Sequence, residues 1–159
     1  LGLKALSNKA KFKYKDKLFF VDKYYKPELP LNLTKYLLKF ANSSIDVSDG
    51  LIDDLAKMIN RQSLSFHLFE NKIPVSNKLS NLIKKQRLNK INLISNGDDY
   101  QVLFTADIKK ARIIQKASKT TGIKITKIGK IVSGKDRSLI FDEKGKQIRA
   151  KSKGYIHRF

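Results

Sequence analysis

Apolar and polar residues alternate from position 64 to 69, with Leu64, Phe66 and Leu68 on one side, the period of a strand with one buried face. Elsewhere the spacing is helical. Leu33, Tyr36, Leu37 and Phe40 share one face and predict a helix over 33–41; Leu51, Leu55, Met58 and Ile59 predict another over 51–61. Ser76 caps a helix that carries Leu79, Leu82 and Ile83. A helix over 108–120 is closed by Gly122. Short apolar runs predict strands at 44–47, 100–105, 123–132 and 138–141, and the turn at 143–146 leads to a last short strand. Residues 3–8 read as the end of a helix, and Pro27 and Pro30 break the chain. In the segment 9–17 lysine stands at every second position, the strand period. This is either a basic-aromatic arm for anionic groups or a solvated edge strand whose lysines discourage pairing. Helices and strands mix and the late strands are joined by short turns. The expected fold is therefore α+β, a mixed, largely antiparallel sheet with helices packed on one face.

Composition narrows the function classes. The chain has 159 residues, enough for one domain with a core, and no cysteine, which excludes a disulfide scaffold and any thiolate metal site. No apolar run is long enough to span a bilayer, and no signal segment opens the sequence, so a soluble cytoplasmic protein is expected. The sequence begins abruptly at Leu1, which reads as a fragment of a longer protein. The net charge of +20 invites nonspecific contact with polyanions. However, 28 of the 34 basic residues are lysines spread along the chain, and arginine, the better bidentate reader, is scarce, so no specific nucleic-acid partner is expected.

The acids run against the prevailing charge. Asp46, Asp49, Asp53 and Asp54 fall within nine residues, and Asp98 and Asp99 form a second cluster, so six of the fourteen acids lie in two short segments. Such clusters suit a hard cation such as Mg²⁺. Around the first, Ile45-Asp46-Val47-Ser48-Asp49-Gly50-Leu51 reads as a strand, a tight turn and a helix start. Asp46 and Asp49 flank the turn, Ser48 adds a hydroxyl, and the helix amino terminus offers N–H groups to a phosphate oxygen. Metal beside phosphate is what phosphoryl transfer requires. The plain alternative is that Ser48 or Asp49 only caps the helix while Asp53 and Asp54 favour its first turn. For Asp98 and Asp99 the alternative is a solvated turn, and His67 is expected to pack or to face solvent from its strand.

Several segments together resemble the thiamine-monophosphate kinase family. Asp-Val-Ser-Asp-Gly-Leu at 46–51, followed by Asp54-Leu55, resembles its Asp-hydrophobic-Ser-Asp-Gly-Leu-x-x-Asp-Leu signature. Asn96-Gly97-Asp98-Asp99-Tyr100 and the run to Thr105 are similar to its Gly-Gly-Glu-Asp-Tyr segment. Ile128-Gly129-Lys130-Ile131, the closing Gly154-Tyr155-Ile156-His157 and the connection Tyr25-Lys26-Pro27-Glu28 resemble further family stretches in order. The resemblance implies a carboxyl-terminal α+β domain of the aminoimidazole ribonucleotide synthetase-like type over 27–159. Residues 1–26 would form the end of a preceding helix plus a basic connection, and an amino-terminal ATP-binding domain, which also dimerises, would be absent. It implies ATP- and Mg²⁺-dependent phosphorylation of thiamine monophosphate to the diphosphate, with the fragment inactive alone. It assigns Asp46 and Asp49 to Mg²⁺, Ser48 to ATP, and Asp98 and Tyr155 to the substrate, with no role for His157. The sequence departs from the family pattern at Asp98 in place of Glu, at Asn96 in place of Gly, and at Arg158 before the last residue. Other readings are a different ATP-using member of the superfamily, such as a selenophosphate synthetase or hydrogenase maturation factor, and a nonenzymatic basic binding module.

Overall fold

A computed structural model describes residues 2–7, 12–60 and 62–150. In chain order its strands are β1 (Ala41–Asp46), β2 (Leu64–Phe69), β3 (Val102–Ala106), β4 (Gly129–Ser133), β5 (Leu139–Phe141) and β6 (Gln147–Ile148). Its helices are α1 (Gly2–Leu6), α2 (Tyr14–Tyr25), α3 (Thr34–Phe40), α4 (Leu51–Met58), α5 (Asn77–Gln86), α6 (Lys90–Ile94) and α7 (Ala111–Thr121). The α+β class is as expected, but the strands divide between two sheets. β1 pairs antiparallel with β3, and the other four take the order β4–β2–β5–β6. Within the larger sheet β2 is antiparallel to β4 and parallel to β5, and β5 is antiparallel to β6.

The main core lies where α4 and α6 cover the larger sheet. Leu51, Ile52 and Leu55 of α4 and Ile91 and Ile94 of α6 pack with Phe66, Leu68 and Ile140 from the strands. Each such side chain contributes about 1.5–3 kcal/mol by leaving water. Val47 and Leu103, just beyond β1 and within β3, belong to the same cluster, so the smaller sheet is fixed to the larger one through buried apolar contact. On β2 the predicted alternation holds for Phe66 and Leu68. Ser65 is buried as well, because its hydroxyl donates to the Gly134 carbonyl at 2.6 Å and accepts from the Arg137 N–H at 3.0 Å. His67 packs edge-on against Phe141 with ring centroids 5.4 Å apart. A second cluster joins α3 and α7 through Leu33, Phe40 and Ala117, with Phe104 of β3 beneath them.

Local signals placed several ends well. Ser76 accepts a hydrogen bond from the Leu79 N–H at 3.2 Å as the cap of α5, and Gly122 closes α7 in the left-handed region at φ 69°. Two expectations fail, and a third holds with a change at its start. Residues 14–17 are the first turn of α2, not a strand; Asp16 favours that turn, and burial of Phe20 against Ala5 and Leu82 decides the conformation. Residues 9–11 lie outside the described residues. The strand predicted over 123–132 is realised only as Gly129–Ser133, because Ile123 and Ile125 are spent on the α3–α7 cluster instead of a ladder. The predicted helix over 108–120 begins as a tight 3-10 turn at Ile108–Lys110 before α7. Among the described residues no helix is long and apolar enough to cross a membrane.

Candidate functional site

The turn after β1 and the loop before β3 are joined backbone to backbone. The Val47 N–H donates to the Gln101 carbonyl at 2.9 Å, the Tyr100 N–H to Val47 at 2.8 Å, and the Asp98 N–H to Ser48 at 2.9 Å. These bonds carry the β1–β3 ladder past its last pair, Asp46 opposite Val102, into both candidate segments. Two glycines permit the approach. A Cβ at Gly97 would stand 1.8 Å from the Ser48 carbonyl oxygen, and one at Gly50 would stand 2.5 Å from that of Ser95, with Gly50 at φ 125°. Segments fifty residues apart in sequence thus form one surface, and Ser48, Asp49, Gly97, Asp98, Asp99 and Tyr100 line a single open groove.

Within the turn, Asp54 is the organiser. The residue is 1% exposed, and its Oδ2 accepts the N–H groups of Ser48, Asp49 and Gly50 at 2.9, 3.0 and 3.1 Å. Gly50 is the cap residue of α4 and has no side chain to cap with, while Asp53 and Asp54 lie in the first turn, as the plain alternative expects of them. The N–H groups of 48–50 are satisfied by a carboxylate and are not offered to a phosphate. The expectation that the helix amino terminus offers N–H groups to a phosphate oxygen is thereby confined to the amides within the first turn of α4.

Asp49, Asp53 and Asp54 each place a carboxylate oxygen within 4.8 Å of the other two. Lys57, one turn on, sends its ammonium among them, 2.5 Å from Asp49, 2.7 Å from Asp53 and 3.4 Å from Asp54. Hydrogen bonds to Asp49 and then Asp53 hold that ammonium above the ordinary lysine range. Asp46, the last residue of β1, is exposed and is not one of the three. The oxygen donors of Asp46 and Asp49 have the chemistry a hard cation requires; here Lys57 supplies the positive charge next to Asp49.

The opposite segment has a different character. Asp98 and Tyr100 both lie in the left-handed region, at φ 69° and 50°, and both residues are exposed. Asn96 closes α6, its Nδ2 donating to the Asn92 and Leu93 carbonyls at 2.8 and 3.2 Å. Desolvation, with a smaller push from Asp98, raises the Asp99 carboxyl to about 6, although the residue keeps an exposed surface. Gln101 donates from Nε2 to the Glu28 carbonyl at 3.0 Å, which ties the proline-flanked connection to this loop. Tyr155 lies outside the described residues. Sequence reasoning gave Asp54 only a first-turn role and gave Lys57 none. Their i, i+3 spacing was the available signal, and only the fold brings the backbone of 48–50 onto Asp54.

Comparison with known proteins gives this arrangement a class. The chain shares the aminoimidazole ribonucleotide synthetase-like α+β fold of solved thiamine-monophosphate kinase structures. One of these, AaThiL complexed with AMPPCP and TMP, superposes with a TM-score of 0.71 at 25% identity, covering 98% of this chain and 47% of that one. Thiamine-monophosphate kinase from Aquifex aeolicus is 33% identical over 89 residues, 55% of this chain and 29% of that protein. The enzyme of Buchnera aphidicola subsp. Schizaphis graminum is 32% identical over 140 residues, 87% of this chain and 42% of that protein. No family model matches the sequence. The chain is similar to thiamine-monophosphate kinases, matching a carboxyl-terminal portion of them. It spans less than half the length of these relatives.

Proposed function

We propose that this chain supplies the carboxyl-terminal part of a kinase that uses ATP to phosphorylate thiamine monophosphate to the diphosphate. The observation that carries the reading is the Asp98–Ser48 hydrogen bond of 2.9 Å, which puts the two candidate motifs on one groove. In this reading Asp46 and Asp49 hold Mg²⁺, Ser48 meets ATP, and Asp98 and Tyr155 meet the substrate. The carboxylates suit the cation, and the Lys57 ammonium 2.5 Å from Asp49 supports reading that residue as one that faces positive charge. Bound there, Mg²⁺ would neutralise the phosphate oxygens between which the phosphoryl group passes. The chain's own residues orient: the locked turn fixes Ser48 and Asp49, and the Gly97 contact fixes the distance from them to Asp98. Asp98 is one methylene shorter than a glutamate, and its left-handed backbone alters how its carboxylate is presented to the groove.

An amino-terminal partner domain of about the same size, which binds ATP and dimerises, completes the proposal, as does a cytoplasmic setting. The size of that domain is what the share of the relatives spanned by the chain supports, 42% of the Buchnera enzyme and 47% of AaThiL. The chain alone is then inactive. Thiamine diphosphate formed from ATP, Mg²⁺ and thiamine monophosphate only when such a domain is added supports the reading; activity with a different phosphate acceptor moves it to another ATP-using enzyme of the same fold.

A further inference from the structure

We infer that Asp54 is the positioning residue of this site, acting through the backbone of residues 48–50 on Ser48 and Asp49. The inference deepens the proposed function and rests on it for what is positioned.

Three successive N–H groups pointing at one centre form a concavity that binds an anion. Here the anion is internal. Asp54 Oδ2 takes all three at 2.9–3.1 Å, Oδ1 lies 3.4 Å from the Lys57 ammonium, and the residue is 1% exposed. A carboxylate so satisfied is stable without solvent, and it sets the orientation of every peptide it holds. Those peptides carry Ser48 and Asp49 and are pressed on the other side by Gly97 and Asp98. Because its N–H groups are already taken, the turn presents side chains to a ligand. That makes it an element for holding a cation through Asp49, not a cradle for phosphate. Asp53 is the natural contrast: it is adjacent, equally charged and also paired with Lys57 at 2.7 Å, but it is half-buried.

The test uses the full chain with Asp54→Ala, Asp54→Asn and, as the control for lost charge, Asp53→Asn. Hydrogen exchange reads the amides of Ser48, Asp49 and Gly50 against those of Ile91 and Leu103 in the core, and Mn²⁺ titration reads the cation site. In Asp54→Ala the three turn amides exchange at least tenfold faster with the core amides unchanged, and Mn²⁺ affinity falls about tenfold or more, the scale of losing a group that orients a metal ligand. Asp54→Asn keeps an acceptor oxygen and restores most of the protection, while Asp53→Asn changes affinity only a few-fold. Should Asp54→Ala not fold, Asp54→Asn against Asp53→Asn decides the same question. Turn amides that stay protected in Asp54→Ala, or an Mn²⁺ loss no greater than in Asp53→Asn, overturn the inference. A wild-type chain that binds no Mn²⁺ overturns the metal reading itself, a different result from Mn²⁺ binding that survives the loss of Asp54.

Discussion

Asp54 and Asp98 stand on either side of one backbone contact, and their surroundings differ. The backbone of the turn that Asp54 holds is fixed by a buried carboxylate on its three N–H donors and by two glycine approaches, with an ammonium beside the carboxylates. Asp98 and Tyr100 occupy the left-handed region on exposed residues, and Asp99 is desolvated enough to favour its proton. The first segment is preorganised by satisfied electrostatics. The second is held in a costly conformation by its neighbours, a state that persists only where surrounding structure imposes it. In the proposed reading such a site has one wall fixed by satisfied hydrogen bonds, which would hold the cation, and one wall of left-handed residues, which would meet the substrate.

The contrast predicts unequal costs. Asp54→Ala leaves the three N–H groups of Ser48, Asp49 and Gly50 without their acceptor and lowers unfolding stability by about 3–5 kcal/mol in urea titration. Gly97→Ala forces the loop away from Ser48, since its Cβ would lie 1.8 Å from a carbonyl, and costs about 2–4 kcal/mol, with the Asp98 amide losing exchange protection. Asp98→Gly acts in the opposite direction. Relief of the left-handed backbone raises stability by about 1 kcal/mol while removing the carboxylate proposed to meet substrate. A loss of stability in Asp98→Gly would erase the distinction between the two walls.

The smallest effect is at Asp99. Its carboxyl is raised to about 6, so the folded state holds the proton more tightly than the unfolded chain. The associated stability is present below the ordinary carboxylate range and is lost as pH rises through about 6. Asp99→Asn mimics the protonated form. It matches the wild type in acid and is slightly more stable above pH 7, a difference that melting curves across that window measure; exposure keeps it small.

Much of the fold was legible because its signals are local. The alternation of 64–69 needs no partner to be read, nor does a serine ahead of Leu79 or a glycine after Thr121. The Asp-Val-Ser-Asp-Gly turn was legible as strand, turn and helix for the same reason. What could not be read depends on contacts distant in sequence. The lysine alternation at 13–17 mimics a strand until Phe20 finds Ala5 and Leu82. The five residues of α6 give too short a pattern, and that helix is held partly by the Lys90 ammonium, which donates to the Glu70 and Ile73 carbonyls at 2.7 and 2.6 Å. The role of Asp54 depends on a backbone six residues earlier curling onto it, and that of Gly97 on a carbonyl 49 positions away.

The most direct test of the central claim, that the two walls form half of a thiamine-monophosphate kinase site, is a reconstitution assay. The chain is mixed with the amino-terminal domain of a relative, ATP, Mg²⁺ and thiamine monophosphate, and thiamine diphosphate is measured beside an intact relative. The account predicts product from the mixture, none from either part alone, and loss of at least 100-fold when Asp49→Asn replaces the wild-type chain. A folded, associated mixture that forms no diphosphate, or one in which Asp49→Asn is as active as wild type, would contradict it.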